Sequence, residues 1–177
     1  MIADSSTLII FSRTNRLDLL LKVFEKIEIT EGVYREACLD GLRVNAPDAL
    51  RIKDWVDQSM ISKHTLKKPE VARHLRTMYP ALGIGESETI AFAQEKNEHT
   101  LLLDDRLARQ VAQLHSLKPF GSLRVLALAF KKDFLNEKEL KNLIRLLLAN
   151  KFRLSAEVIM EFWELIERMK KGETNSE

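Results

Sequence analysis

Short apolar runs alternate with amphipathic stretches along this chain. Five of the runs predict strands: "MIA" at 1–3, "KIEIT" at 26–30, "SMISKH" at 59–64, "HTLLL" at 99–103 and "SLKPF" at 116–120. Between them, apolar residues recur at helical spacing, as at Leu17, Leu20, Leu21 and Phe24. Strands that alternate with helices indicate a parallel sheet covered on both faces. We therefore expect an α/β fold with a central, mainly parallel sheet of four to five strands.

The remaining helices follow from the same periodicity. We predict helices over 31–40, 45–58, 67–79, 106–115 and 121–132, and one from Glu86 to about Lys96. Pro47 and Pro69 fit the first turns of two of them. A C-terminal helical pair is predicted over 136–151 and 155–170, within a single domain at 1–170. The tail "KGETNSE" at 171–177 is expected to be disordered.

Composition excludes several classes of protein. The chain is 45% hydrophobic and 31% charged, which is typical of a globular domain. Its one cysteine, Cys38, excludes an internal disulfide and a zinc site built on several thiolates. No apolar run approaches the ~20 residues of a membrane helix, and the N-terminus lacks the basic start of a signal peptide. We expect a cytoplasmic protein with no membrane contact.

Acidic residues follow the predicted strands. Asp4 follows the first strand, and Asp104 and Asp105 follow "TLLL". Glu36 lies about a turn and a half into the helix after the second strand, and Glu88 lies in the first turn of the helix opened by "GIGE". Because the carboxyl ends of parallel strands meet at one edge of a sheet, these acids are expected to converge there.

Each acid also has a purely structural interpretation. The helix macrodipole favours Glu86 and Glu88 by roughly 0.3–1 kcal/mol. Asp104 and Asp4 could cap helices, and Glu36 could be a solvated helix residue. Capping does not explain why the acids share one edge of the sheet. Clustered carboxylates repel one another unless a cation holds them ionised, and Mg²⁺ or Mn²⁺ suits an all-oxygen cluster.

Several motifs resemble those of a known family. "IADSSTLI" resembles the opening of a PIN domain, the metal-dependent ribonuclease fold of VapC-type toxins, and "ITEGVYREA" resembles its second motif. "GIGESETIAFAQE" is similar to the Gly-Glu-x-Glu motif of a PIN-like branch related to VapC. "LLLDDRLARQVA", "LKPFGSLRVLALAFKK" and "LLANKFRLSAEVIMEFWELI" resemble the later motifs. The resemblance extends to about residue 168.

This resemblance implies a three-layer α/β/α fold and a metal site. The acids in its catalytic and metal-binding positions are Asp4, Glu36, Glu88 and Asp104, with Asp105 as a fifth metal-site acid. Ser5 or Ser6 occupies the small polar position that orients a carboxylate or a water. The chain departs from the branch at Thr7 and at "TEG", where proline is common. The resemblance predicts that Glu88→Gln lowers activity far more than Glu86→Gln.

Basic residues offer candidate contacts to nucleic acid. Cations near an acidic site would attract a phosphate backbone that carboxylates alone repel. Equally, the basic stretch "KHTLKKPEVARHLR" at 63–76 could be a solvated helix face, and Arg109 could form a structural ion pair. The candidates are Lys63, Lys67, Lys68, Arg73, Arg76, Arg106 and Arg109.

The leading hypothesis is a Mg²⁺- or Mn²⁺-dependent endoribonuclease that hydrolyses RNA. The resemblance implies that it could be the toxin of a toxin–antitoxin pair, inhibited by a small antitoxin protein, and that it forms a homodimer. The alternative is a non-catalytic PIN-like module that binds nucleic acid or protein. A phosphoryl-transfer protein is disfavoured because the chain has no P-loop, and Ser6 stands where a dehalogenase-like enzyme needs a second aspartate.

Overall fold

The central sheet has five parallel strands. The computed structural model describes residues 1–150 and 152–171. Its strands are β1 Ile2–Ala3, β2 Ile27–Thr30, β3 Ile61–His64, β4 Thr100–Leu102 and β5 Lys118–Phe120, in the order β3-β2-β1-β4-β5. The prediction of an α/β fold with a parallel sheet is confirmed. The predicted disordered tail lies outside the described residues except for Lys171.

Helices connect the strands and cover both faces of the sheet. They are α1 Ser5–Arg13, α2 Leu17–Phe24, α3 Glu31–Tyr34, a π-helical turn Arg35–Leu39, α4 Asp40–Arg43, α5 Pro47–Asp57, α6 Pro69–Met78, α7 Ile84–Lys96, α8 Arg106–Leu114, α9 Ser122–Lys131, α10 Glu137–Ala149 and α11 Ala156–Lys170. None of the helices in this part of the chain has the length and apolarity needed to cross a membrane.

Alternation along the strands divides the core in two. Ala3 and Leu102 belong to a large apolar cluster under α1, α2, α5, α9, α10 and α11. Their neighbours Ile2 and Leu101 belong to a second cluster under α6, α7 and α8. Successive residues of a strand point to opposite faces, so the two clusters lie on opposite sides of the sheet. The result is the predicted three-layer α/β/α arrangement.

Two helices differ from the sequence-based expectation. No helix was predicted at α1, because its sequence "SSTLIIFSR" has no regular apolar stripe: five of its nine residues are buried, and two of these are polar. Helix α7 begins at Ile84, two residues before the predicted Glu86, with Gly83 as its N-cap. Glu88 therefore lies in the second turn, where the macrodipole no longer explains it.

Candidate active site

Asp4 and Asp104 lie at the carboxyl ends of the neighbouring strands β1 and β4. Asp4 caps α1: its Oδ1 accepts from the Thr7 amide at 2.9 Å, and its Oδ2 accepts from Ser6 Oγ at 2.5 Å. Thr7 Oγ1 also donates to Asp104 Oδ2 at 3.3 Å. Thr7 therefore links the two carboxylates directly.

A second set of donors holds Asp104. The amide of Ser122 donates to Oδ1 at 2.7 Å, and Ser122 Oγ donates to Oδ2 at 2.5 Å, both from the start of α9. One interpretation of the sequence makes Asp104 the N-cap of α8, and this is wrong. That role belongs to the exposed Asp105, whose Oδ1 accepts from the Ala108 amide at 2.9 Å.

Ionisation of the Asp4 and Asp104 pair is disfavoured in the metal-free protein. Asp4 is fully buried, and burial together with the charge of Asp104 raises its pKa to about 7, although Ser6 and Thr7 donate to it. Burial also raises the pKa of Asp104, against its donors and the charge of Arg109. Across residues 1–150 and 152–171, no cationic side chain forms a hydrogen bond or salt bridge with either carboxylate. A bound cation would therefore stabilise both in their ionised form.

Glu36, on the π-helical turn, is linked to α1 through Ser5. Its Oε2 accepts from Ser5 Oγ at 2.7 Å, and its Oε1 accepts from the Gly85 amide at 2.9 Å. Ser5 directly precedes Ser6, which donates to Asp4. The first turn of α1 therefore binds three of the predicted acids. Both serines that the sequence offered as supporting residues donate to a carboxylate.

Glu88 has a backbone partner. Its Oε2 accepts from the amide of Gly32, near the start of α3, at 2.8 Å. Glu86, by contrast, reaches back to the start of its own helix, where its Oε2 accepts from the Gly83 amide at 2.8 Å. Burial raises the pKa of Glu86, with smaller contributions from Asp105 and Glu36. The two glutamates of "GESE" thus stabilise two different helix starts.

The acids fit a divalent ion in part. Within the described part of the chain, no three acidic, histidine or cysteine side chains lie close enough together to hold one metal ion. The predicted set of Asp4, Glu36, Glu88, Asp104 and Asp105 is therefore not gathered into a single cluster. Asp4 and Asp104 still suit Mg²⁺ or Mn²⁺, because Mg²⁺ usually keeps several waters and takes only one or two carboxylates.

The basic stretch lies mostly away from these acids. Lys63 pairs with Glu31 at 3.1 Å and lies over the Tyr34 ring. The Lys67 and Lys68 amides bind the carboxylate of Glu95. At ~1.5 Å per residue, Glu95 is about 10 Å along α7 from Glu88, the predicted metal-site acid on that helix. On α6, Arg73 is exposed and Arg76 is half-buried.

Arg109 lies closer to the site than the basic stretch. On α8, Arg106 and Arg109 are both exposed. A Cβ at Gly121 would lie 3.2 Å from Asp104 Oδ1 and 3.5 Å from Arg109 Nη1. The guanidinium therefore approaches Asp104 across the space that Gly121 leaves open. Its charge lowers the pKa of Asp104 without a hydrogen bond between the two.

Sequence reasoning missed the residues that hold the acids in place. These are Thr7, Ser122, Gly32 and Gly85, which donate to Asp4, Asp104, Glu88 and Glu36. Only Thr7 carried a local signal, because a threonine three residues after a helix-capping aspartate lies where the cap bond forms. The other three contacts join segments that are distant along the chain.

Comparison with known proteins identifies the family. No curated protein and no solved structure matches the chain. A family model described as a PIN domain matches residues 1–168, nearly the whole chain. PIN domains are generally metal-dependent nucleases, which agrees with buried carboxylates at the carboxyl edge of a parallel sheet. On the extent of that match, the chain belongs to the PIN-domain family.

Proposed function

We propose that this chain is a Mg²⁺- or Mn²⁺-dependent endoribonuclease whose central carboxylates are Asp4 and Asp104. The observation that carries the proposal is the pair itself: the buried Asp4 and the partly buried Asp104, joined through Thr7, with no bonded cation in the described residues. Two such carboxylates repel each other when both are ionised, and a bound divalent cation would relieve that repulsion. Membership of a nuclease family supports a phosphodiester as the substrate.

The side chains around the pair have distinct tasks. A divalent ion held by Asp4 and Asp104 would activate a water and stabilise the charge that develops on the phosphodiester. Ser6, Thr7 and Ser122 hold the carboxylate oxygens in fixed orientations, so that little reorganisation is needed during the reaction. Glu36 is tied to the same helix start, because Ser5 donates to it and the next residue, Ser6, donates to Asp4.

RNA reaches the site along α8 in this proposal. Arg109 is exposed near Asp104 and Arg106 is exposed at the start of the same helix, and their charges offset the repulsion between carboxylates and a phosphate backbone. Glu88 and Asp105, which the resemblance places in the metal site, bind backbone amides of Gly32 and Ala108. Their direct contact with a metal ion stays a prediction.

The wider role that we propose is that of a cytoplasmic toxin controlled by a small antitoxin protein, acting as a homodimer. Exposed apolar side chains on the C-terminal helices support protein contacts. Leu146 and Leu148 on α10 are 46% and 42% exposed, and Val158 and Met160 on α11 are 40% and 64% exposed. Residues two positions apart do not share a helix face, so these side chains present apolar surface on more than one side of the helices to a partner.

The decisive test is cleavage of an RNA oligonucleotide in Mn²⁺ by wild type, Asp4→Asn and Asp104→Asn. We expect each variant to lose at least about 100-fold in rate while keeping its circular dichroism spectrum, because a metal-holding carboxylate is lost. Asp18→Asn is the control, since Asp18 pairs with Arg16 and Lys22 on α2. Variants that cleave like wild type would refute the site.

The non-catalytic alternative has its own signature. A protein that binds Mn²⁺ at the folded site is stabilised by mass action. If wild type neither cleaves RNA nor gains thermal stability in millimolar Mn²⁺, a binding or interaction module becomes the better interpretation.

A further inference from the structure

Two glutamates and two glycines tie α7 to the segment after β2 in a reciprocal arrangement. Glu88 on α7 accepts from the amide of Gly32 on α3 at 2.8 Å. Glu36 on the π-helical turn accepts from the amide of Gly85 on α7 at 2.9 Å. Each segment supplies one glycine amide and one glutamate carboxylate. We call these four residues the glutamate–glycine clasp.

The clasp depends on the absence of side chains at both glycines. A Cβ at Gly32 would lie 2.7 Å from both Cδ and Oε2 of Glu88. A Cβ at Gly85 would lie 2.4 Å from Oε2 of Glu36. Real Cβ atoms do not approach carboxylates this closely. Each carboxylate therefore occupies the space that glycine leaves, and neither glutamate could stay in place against alanine.

From these contacts we propose that Glu88 is a positioning residue that acts through Gly32 and Glu36. The bond between Glu88 and Gly32 fixes α3 against α7. The π-helical turn follows α3 directly, so the same bond sets where Glu36 lies. Glu36 in turn reaches Ser5, next to the Ser6 that donates to Asp4. The consequence for cleavage rests on the proposed nuclease function.

The amide isostere separates positioning from metal binding. A glutamine at 88 can still accept the Gly32 N–H through its carbonyl oxygen, but it no longer carries the negative charge that favours a metal ion. Positioning therefore predicts that Glu88→Gln retains function that Glu88→Ala loses. Direct metal binding predicts that both fail. The resemblance to the family favoured the second outcome.

The first experiment measures RNA cleavage at saturating Mn²⁺, well below the Tm of each protein. We expect Glu88→Ala to lose about 10- to 100-fold in kcat with KM within about twofold. Glu88→Gln should recover most of that loss. Glu88→Gln as inactive as Glu88→Ala, in a protein with the wild-type Tm, would overturn the proposal.

The matched control is Glu95→Ala. Glu95 lies on the same helix and also accepts from backbone amides of another segment, those of Lys67 and Lys68. At ~1.5 Å per residue it is about 10 Å along α7 from Glu88. We expect Glu95→Ala to lower Tm and leave the cleavage rate within about twofold of wild type. An equal loss of kcat in Glu95→Ala would mean that any destabilisation of α7 is enough, which contradicts positioning.

The second experiment requires no activity. Tm is measured for wild type, Gly32→Ala, Glu88→Ala and the double variant. Each single change breaks the same hydrogen bond, so each should lower Tm by about 3–6 °C. The Tm of the double variant should be no lower than that of the less stable single variant. Additive losses would overturn the clasp. A wild type that cleaves no RNA would refute the nuclease function and still leave this cycle decisive.

Discussion

Asp4 and Asp104 come from neighbouring parallel strands, and a single residue, Thr7, donates to both. Its amide binds Asp4 at 2.9 Å and its hydroxyl binds Asp104 at 3.3 Å. The two donors are fixed in the first turn of α1, so the separation of the carboxylates is set by the helix start. A residue that departs from the family pattern thus lies at the centre of the site.

Removal of the Thr7 hydroxyl should weaken metal binding. Thr7→Val keeps the buried volume and the amide but loses the donor to Asp104, whereas Thr7→Ser keeps both donors. We expect Thr7→Val to bind Mn²⁺ about tenfold more weakly than wild type and Thr7→Ser to bind within about twofold. Calorimetric titration measures this directly. Equal affinity in wild type and Thr7→Val would show that Ser122 alone positions Asp104.

The metal-free protein should lose stability as pH rises through the window set by Asp4. The pKa of Asp4 is about 7 in the folded state against 3.8 in the unfolded chain. Between these values the folded state holds a proton that the unfolded state has lost, so the free energy of unfolding falls with rising pH. The raised pKa of Asp104 acts in the same direction. Urea unfolding in EDTA from pH 4 to pH 8 measures the slope.

Asp4→Asn should remove most of that pH dependence. The amide keeps an acceptor for Thr7 and carries no buried charge, so we expect it to stabilise the metal-free protein by about 2–4 kcal/mol at pH 8. Asp48→Asn is the control, because Asp48 is buried but pairs with Arg13 at 3.3 Å. Loss of that pairing should not stabilise the fold. A destabilised Asp4→Asn protein at pH 8 would contradict the electrostatic interpretation.

The sequence was sufficient to predict the sheet and the place of its acids. Asp4 and Asp104 directly follow apolar runs, and parallel strands bring such positions to one edge whatever the loops do. It did not predict the partners of Glu88 and Glu36. Each accepts from a glycine amide that is distant along the chain: the separation is 56 residues for Glu88 and 49 residues for Glu36. Those bonds depend on how α7 packs against α3, which no local pattern encodes.

Glu28 should stabilise the fold through a network separate from the acid pair. It is buried on β2 and contacts Lys96 at 2.6 Å and Lys26 at 2.9 Å. Burial opposes ionisation, but the lysines prevail and lower the pKa of Glu28 to about 2. The contribution of ionised Glu28 to the free energy of unfolding is therefore complete above pH ~4.5 and is lost as pH falls towards 2.

Glu28→Gln tests that network. We expect the substitution to lower the free energy of unfolding by about 1–3 kcal/mol at pH 7, because both lysines lose a charged partner while remaining partly solvated. The difference from wild type should narrow as pH falls below 4.5. Denaturant unfolding at several pH values provides the measurement, and a constant difference across that range would argue against an ionic contribution.

Gly85→Ala should impair catalysis more than stability. The added Cβ would overlap Glu36 Oε2 at 2.4 Å, so the carboxylate must leave Gly85 and shift relative to Ser5. An alanine inside α7 gains up to ~1 kcal/mol of helix propensity, which offsets the lost bond. We expect at least about a tenfold slower cleavage of RNA with a small change in Tm. Gly83→Ala, whose Cβ would lie 3.3 Å from Glu86 Oε2, should cost less activity.

Arg109 should contribute a phosphate contact that can be measured without cleavage. The exposed guanidinium approaches Asp104 across Gly121 and forms no salt bridge among the described residues. In EDTA, Arg109→Ala should weaken RNA binding and reduce the slope of log K against log salt by about 1. Lys67→Ala, beside the distant Glu95, should leave the slope unchanged. If Lys67→Ala lowers the slope and Arg109→Ala does not, RNA follows α6 instead of α8, and the acids must be approached from the other side of α7.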